Sequence, residues 1–528
     1  MADADRPARF NLAARVLAAR VEAGDGARVA LRVEGGRGVR LVTYAELLDE
    51  TNRLANVLVA LGVRRGDRVL VALPDGVAFV ATFLATLEVG AVIAMANPEL
   101  PEADHAAQLA YTQARVLVAD AALVRRAERE IAEASDLLAT LVVGALPVAP
   151  RSFSYEACVA AASPRFTIAD TAVDDEAVWL ATSGSTGRPR AAVHTHGSFA
   201  FCGDAYGVGV LGLHRDDVTL SVPKLYFGYA TGMSLLFPLA VGASAVLFSE
   251  RPTPERLFEL AARHGATVLA LVPTLIAKML ALATTTGEGR RALATVRVAI
   301  SAGEALPAPL YARWKDAFGV ELVEGLGSAE LFHIHVSNRP ADVRPGALGR
   351  VVPGYEARVV RDDGTDAPDG EIGALWVRGG SAALRYEGDP RRSAATFRAD
   401  GWVATSDKVR RAEGVFHFEG RSDDMLKVGG IYVSPLEVEN VLLQHPAVAE
   451  CAVVGYEDEA GLVKPKAVVV CRDRGPDGAS DEALFRELHA FARERLAAFK
   501  VPRRWEHLAA LPRNDRGKLV RRTLREAR

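Results

Sequence analysis

Residues Thr182 to Arg190 read Thr-Ser-Gly-Ser-Thr-Gly-Arg-Pro-Arg and follow the apolar run Ala177-Val-Trp-Leu-Ala181. This pattern predicts a strand that runs into a phosphate loop. Backbone N–H and hydroxyl donors of Thr182, Ser183, Gly184, Ser185, Thr186 and Gly187 would converge on phosphate oxygens, with Arg188 and Arg190 supplying positive charge. The chemistry this suits is triphosphate binding. A Walker A loop needs a longer stretch between its glycines and then Lys-Ser/Thr, whereas only Ser185 and Thr186 separate Gly184 from Gly187. A P-loop NTPase is therefore disfavoured.

Further polar clusters follow downstream: Gly325-Leu326-Gly327-Ser328-Ala329-Glu330, Thr405-Ser406-Asp407, Gly420-Arg421-Ser422-Asp423-Asp424-Met425-Leu426-Lys427-Val428-Gly429-Gly430, and Pro512-Arg-Asn-Asp-Arg-Gly517-Lys518. In this order, spanning most of the chain, they resemble the motifs of the acyl-adenylate-forming superfamily. That superfamily includes acyl-CoA ligases, luciferases and the adenylation domains of peptide synthetases. The segments Pro223-Lys-Leu-Tyr226-Phe227-Gly-Tyr229, His333, Ser337-Asn338-Arg339-Pro340 and Val433-Ser434-Pro435 look closest to the benzoate-CoA ligases.

The resemblance implies ATP, Mg²⁺ and coenzyme A as cofactors and a small aromatic carboxylic acid as substrate. A carboxylate is a poor electrophile, because its charge repels a nucleophile and oxide is a very poor leaving group. Attack on the α-phosphorus of ATP, with loss of pyrophosphate, gives an acyl-adenylate that a thiol can open with AMP leaving. The protein's task is positioning and charge neutralisation. Lys518 matches the family lysine that bridges the substrate carboxylate and the α-phosphate, and Gly517 lets the chain turn it inward. Glu330 matches the acid that holds Mg²⁺ on the triphosphate. Asp407 and Arg421 match the residues that hold the ribose, and Ala302, Gly303, Glu304 and Ala305 should lie along the adenine. Asp423 corresponds to a hinge about which a small C-terminal domain rotates, withdrawing Lys518 and bringing in Lys427 to Gly430. Gly429 and Gly430 would let the backbone pass close to the pantetheine arm.

The chain departs from the family at four positions. Leu326 and Ala329 stand where a tyrosine and a threonine are usual, removing an aromatic face for adenine and a hydroxyl for phosphate. Arg190-Ala191 replaces Lys-Gly, which keeps the charge but changes the contacts. By resemblance the acyl pocket comprises Tyr226, Phe227, Tyr229, Ala230, Gly303, Gly327, His333 and Ile334; taken singly, the apolar ones also read as ordinary core. His333-x-His335 and His194-x-His196 would each point to one face of a strand, without an adjacent third metal ligand.

Positioning these residues requires an α/β frame. Short β-rich runs at Val69–Leu73, Val116–Ala119, Val178–Ala181, Ala245–Phe248, Val268–Leu271 and Val296–Ile300 alternate with helical segments such as Glu255–His264, which predicts parallel α/β sheets. The loops Thr182–Arg190 and Ser301–Ala305 would then fall beyond strand carboxyl ends, facing one cleft. After Asp362-Asp363-Gly364 the pattern shifts to short strands and turns (Ile372–Arg378, Val415–Phe418), a β-rich subdomain. The expected organisation is an N-terminal adenylate-forming domain, residues 1–422, and a mobile αβ lid, residues 423–528.

Bulk properties agree with a cytoplasmic enzyme. The 528 residues are 50% hydrophobic with a net charge of −3, so several cores can form and nothing recommends a nucleic-acid partner. The basic cluster Arg521, Arg522, Arg525 and Arg528 reads as a solvated chain end. The four cysteines, Cys158, Cys202, Cys451 and Cys471, form neither a disulfide framework nor a zinc ribbon. The Met1 to Arg6 start lacks signal-peptide character. Gly76 to Ala96 imitates a membrane span, but Gly90, Val92-Ile93 and Asn97-Pro98 favour a buried helix followed by a buried strand, so no membrane association is expected. A homodimer is compatible with the sequence. The expected activity is AMP-forming ligation of benzoate, or of a 2-amino- or hydroxybenzoate, to CoA. An acyl carrier thiol is the alternative acceptor. A remote alternative, an NAD-dependent oxidoreductase, rests on Gly207-Val-Gly209-Val-Leu-Gly212, which has neither a clean strand before it nor an apolar helix after it.

Overall fold

The computed structural model describes residues 9–36, 38–145, 150–182, 190–287, 289–422, 424–428, 431–458, 462–472, 481–513 and 519–526. Two large sheets organise the N-terminal part. The first runs in the order Arg350–Val351, Ile334–Ser337, Glu321–Gly327, Val298–Ser301, Val268–Leu271, Val218–Ser221, Ser244–Leu247, Val29–Gly35, Gly38–Thr43. Its six central strands are parallel, and antiparallel strands close both edges. The second runs Arg385–Tyr386, Arg190–Thr195, Glu176–Thr182, Val92–Met95, Arg68–Ala72, Val116–Asp120, Ala139–Val143, Ser152–Ser154. It is parallel from Glu176–Thr182 onward.

The strands expected from sequence are present, Val268–Leu271 and Ile372–Arg378 unshifted and the others with ends moved by one to three residues. Their buried, continuous Val/Ile/Leu/Ala runs are what a sheet covered on both faces requires. The apolar run that imitates a membrane span is helix Val77–Val89, buried around nearly its whole circumference, followed by strand Val92–Met95. Gly90 ends the helix at φ 76, a left-handed conformation in which a Cβ would also crowd Ala169 and Thr171 at 3.1 and 3.2 Å. No described helix is long and apolar enough to cross a membrane. The Gly207–Gly212 run is different from a dinucleotide turn: Gly203–Val208 is helical and continues from helix His196–Cys202.

The β-rich subdomain is a four-stranded antiparallel sheet, Glu356–Val360, Ile372–Arg378, Val403–Ala412 and Val415–Arg421, and so begins slightly before the Asp362 turn. The C-terminal unit has a hairpin, Leu426–Val428 with Ile431–Val433, and a sheet of Val448–Glu457, Val463–Cys471 and Arg504–His507. Helices Pro435–Leu442 and Asp481–Arg493 pack on its core. Asp423 lies outside the described residues. The basic chain end is not simply solvated: Arg521 donates to Glu439 Oε1 at 2.5 Å and Oε2 at 3.0 Å, and Arg525 pairs with Asp424 at 3.0 Å. The sequence showed the charges but not the distant carboxylates that neutralise them.

Within helix Val77–Val89 sits Glu88, fully buried, with neither carboxylate oxygen bonded among the described residues. Burial pushes its pKa up to about 8. A raised acid pKa means the folded chain holds a proton that the unfolded chain releases, so stability is fully present below about pH 4.5 and drains as pH rises toward 8. Glu88→Gln cannot titrate. Its stability relative to the parent should therefore rise across that window by up to about 1.4 kcal/mol per pH unit, and stay flat beyond it. Urea denaturation of both proteins between pH 5 and 8 checks this; a pH-independent difference would refute it.

Candidate active site

Thr182 ends one strand and Arg190 begins the next, and the two are antiparallel partners. The two ends of the segment expected to bind phosphate are therefore held side by side; Ser183 to Pro189, including Gly184, Ser185, Thr186, Gly187 and Arg188, lie outside the described residues. The strand of Thr182 reaches the first sheet through close packing. A Cβ on Gly228 would stand 2.9 Å from Leu180 Cδ2 and 3.1 Å from the Phe332 carbonyl, and one on Gly327 would stand 2.7 Å from the His333 carbonyl. At Gly327 the obstructing atoms are backbone, so glycine is required there, whereas at Gly228 a larger residue would crowd the Leu180 side chain and the Phe332 carbonyl.

Glu330 lies in the short 3₁₀ turn Ala329–Leu331 beyond strand Glu321–Gly327. Its Oε1 accepts the Tyr386 hydroxyl at 2.5 Å, and the Ala329 carbonyl lies 2.7 Å from His194 Nε2. Burial pushes His194 down to about 4, so it is neutral and its Nε2 donates to that carbonyl. Arg190 Nε is 3.6 Å from Asp389, and its guanidinium lies over the Tyr386 ring. Thr182, Arg190 and Glu330 thus share one neighbourhood. Tyr386 and Asp389 belong to the same group and carried no recognisable sequence signal.

Directly after Glu330 the chain makes a strained turn. Phe332 has φ 64 and ψ −54, and the His333 N–H donates to the Leu331 carbonyl at 2.8 Å, a three-residue γ-turn. The Phe332 ring packs on Phe199, centroids 3.7 Å apart, which helps hold it there. The turn delivers His333 into the core, where Nε2 lies 3.1 Å from the Tyr229 carbonyl and the ring meets Tyr206, Tyr229 and Phe237. Burial pushes His333 down to about 4, so it too is neutral and donates through Nε2. Tyr229 reaches the Ile300 carbonyl with its hydroxyl at 3.2 Å. Ala230 and Ile334 are fully buried, while Tyr226 and Phe227 are only partly covered and lie edge to face. Of the expected acyl-pocket residues, Tyr229 and His333 are in direct contact, and Tyr226 and Phe227 contact each other.

His335 is also buried, but His196 departs from its expected strand: it begins helix His196–Cys202 and accepts the Leu12 N–H at Nδ1. Among the described residues no His, Cys, Asp or Glu cluster has metal-site geometry.

The Ala302–Ala305 loop follows strand Val298–Ser301 at its carboxyl end, with Gly303 at φ 89. One residue on, the Leu306 N–H donates to buried Glu324 at 2.8 Å. Burial pushes Glu324 up to about 8, making it a neutral anchor for the loop, one that sequence reading missed. Gly325 and Leu326 lie on the strand of Glu324, and Ser328 begins the turn that holds Ala329.

Asp407, nearly buried, is the cross-strand partner of Arg421, which donates to Ser406 Oγ at 2.9 Å. The two ribose candidates are therefore adjacent. Lys427 lies on strand Leu426–Val428, with its side chain outside the description, as are Gly429, Gly430 and Lys518. The described residues flanking Lys518 are informative. Arg513 and Leu519 form a backbone bridge, and Arg513 Nη1 lies 3.2 Å from Thr274 Oγ1 and 3.7 Å from Glu304 Oε1. This segment of the C-terminal unit therefore rests on the Ala302–Ala305 loop. A separate cleft of about 850 Å³ between Arg40, Glu50, Asp75 and Tyr155 contains none of these residues.

Comparison with known proteins gives a full-length match. The family described as AMP-binding enzyme matches residues 18–387, and the AMP-binding enzyme C-terminal domain matches residues 437–518. A benzoate–CoA ligase of Thauera aromatica is 40% identical over 99% of this chain and 97% of its own. A 4-hydroxybenzoate–CoA/benzoate–CoA ligase of Rhodopseudomonas palustris is 37% identical over 92% of this chain and 89% of its own. The crystal structure of the anthranilate CoA ligase AuaEII in complex with anthranoyl-AMP superposes with a TM-score of 0.91 at 35% identity, covering 99% of this chain and 98% of that one.

Proposed function

The chain belongs to the AMP-binding enzyme family, and from that premise we propose that it is an ATP-dependent, AMP-forming aryl-CoA ligase that converts benzoate or a ring-substituted benzoate to its CoA thioester. The observation that carries this reading is the joining of Glu330 to His333 through the Phe332 turn, which sets a phosphate-side carboxylate beside an aromatic-lined segment.

In this reading Arg190 and the Thr182–Gly187 donors receive the β- and γ-phosphates, and Asp407 and Arg421 hold the ribose. The Ala302–Ala305 backbone reads the adenine, and Lys518 neutralises the charge that builds as carboxylate meets α-phosphate. Glu330 suits Mg²⁺: it is a single hard carboxylate whose Oε1 is already oriented by a phenol. Bound there, the ion would neutralise charge on the departing pyrophosphate. Tyr226, Phe227 and Tyr229 flank the aryl ring, with neutral His333 below. The small domain pivots at Asp423, and Lys427 to Gly430 then face the thiol. The acids handled by the relatives support the substrate class, and one hydrogen bond in the pocket decides among benzoate, 2-aminobenzoate and hydroxybenzoate.

The decisive experiment measures ATP-dependent pyrophosphate release from benzoate, 2-aminobenzoate, 4-hydroxybenzoate and a medium-chain fatty acid, with and without CoA, following acyl-CoA by mass. Turnover with one aryl acid and CoA is expected. Pyrophosphate release without acyl-CoA would assign another acceptor, such as a carrier-protein thiol, and silence with every acid would overturn the reading.

The pocket floor gives a sharper prediction. A Cβ on Gly232 would stand 2.6 Å from His333 Cδ2 and 2.7 Å from its Nε2. Gly232→Ala must therefore push the ring off the Tyr229 carbonyl. The KM for the acid should rise about tenfold or more, with KM for ATP nearly unchanged and stability lower by about 1–3 kcal/mol. Steady-state kinetics in both substrates test this; an equal rise in both KM values would contradict it.

A further inference from the structure

Tyr386 is built into the site more firmly than its position in the sequence suggests. It pairs with Ala192 in the edge strand beside Arg190–Thr195, its N–H donates to Ser393 Oγ at 2.9 Å, and its ring packs on Phe397, centroids 5.1 Å apart. Only 5% of the residue is exposed. From this fixed base the hydroxyl donates to Glu330 Oε1 at 2.5 Å, while the ring lies 5.8 Å from the Arg190 guanidinium and 5.9 Å from that of Arg392. Arg190 is also 3.6 Å from Asp389, longer than a hydrogen bond, and the other Asp389 oxygen caps helix Pro390–Thr396 by accepting the Arg392 N–H at 3.0 Å. One side chain therefore touches both an acid and a base assigned to the triphosphate.

We propose that Tyr386 is a positioning residue for the nucleotide site, with two separable functions: its hydroxyl fixes the Glu330 carboxylate for Mg²⁺, and its ring face fixes Arg190 for phosphate. The inference rests on the adenylation reading. A phenol donating to a carboxylate leaves the second oxygen available and limits rotation of the group, which lowers the ordering cost when the ion binds. An aromatic face below a guanidinium holds the cation without consuming its N–H donors, which stay available for phosphate oxygens. Tyr386 itself need touch neither ligand.

Two substitutions separate the functions. Tyr386→Phe keeps the ring and removes the hydroxyl, whereas Tyr386→Leu removes both. Calorimetric binding of ATP to the full-length protein, without acid or CoA and across a range of Mg²⁺ concentrations, reads the effect without turnover. Thermal melting of each protein reports folding. For Tyr386→Phe the Mg²⁺ needed for half-maximal ATP binding should rise about five- to tenfold, and affinity should return to within about twofold of the parent at saturating Mg²⁺. Tyr386→Leu should show a further loss of about fivefold that Mg²⁺ does not restore. Unchanged binding by Tyr386→Phe, a loss indifferent to Mg²⁺, or identical behaviour of the two variants would overturn the proposal. Should Tyr386→Leu fail to fold, Tyr386→Phe alone decides the role of the hydroxyl. Failure of the parent to bind ATP with Mg²⁺ would overturn the adenylation reading, and this inference with it.

Discussion

Replacing Lys518 with alanine should reduce pyrophosphate release from acid and ATP by roughly 10²–10³-fold or more, while CoA still reacts with preformed acyl-AMP at near the parent rate. In the first step two anions, carboxylate and α-phosphate, must approach one another, and a cation between them lowers that barrier directly. In the second step a thiol attacks a neutral carbonyl and AMP leaves, so the same cation is not required. The contact of Arg513 with Thr274 and Glu304 supports the assignment, because it seats the segment before Lys518 on the loop expected to read adenine. Stopped-flow assays of the two half-reactions give the comparison; equal loss in both would refute the division of labour.

A second large effect is expected far from the chemistry. Glu34, on strand Val29–Gly35, has only 3% of its side chain exposed and accepts from Arg256 at 2.8 Å, Arg263 at 3.0 Å and His264 at 2.6 Å. All three partners sit on helix Pro254–His264, so one carboxylate ties that helix to the first sheet. Burial pushes its pKa up, yet the bonds from Arg256, His264 and Arg263 prevail and leave it lowered, hence ionised at neutral pH. Without Glu34, Arg256 would keep Glu250 and Glu259, and Arg263 would keep Glu259, so the cost falls mainly on the buried Glu34–His264 contact, where both side chains are only 3% exposed. Glu34→Ala should therefore lose about 3–5 kcal/mol, with Glu34→Gln intermediate, measured as the shift of the urea unfolding transition. A loss below about 1 kcal/mol would place the network among ordinary surface ion pairs.

These two sites differ in how far the sequence disclosed them. Strand runs such as Val268–Leu271 were legible because a sheet covered on both faces demands uninterrupted apolar residues, and the helix and strand within Gly76–Ala96 were legible from the glycine, β-branched and proline positions that interrupt the run. Glycines at 228, 325 and 327 mark close approaches that only the folded chain explains. Tyr386 was not legible, because its partner Glu330 is 56 residues away and nothing in the local pattern of either names the other. The same holds for Glu34, whose bonds span 222 to 230 residues, and for Glu324, which reads as one more charged residue until burial makes it a neutral anchor. Local periodicity disclosed the elements; pairing across elements depends on tertiary geometry that no short window contains.

The γ-turn at Phe332 bears on how such a protein can change. Glu330 and His333 flank one tight bend, so under the proposed function a substitution that reshapes the bend to admit a different ring is expected to disturb phosphate handling as well. Tyr226 and Phe227 lie on a separate segment and remain partly uncovered. Drift in acid preference should therefore accumulate at those two aromatics, leaving the bend as the slow-changing part of the machine.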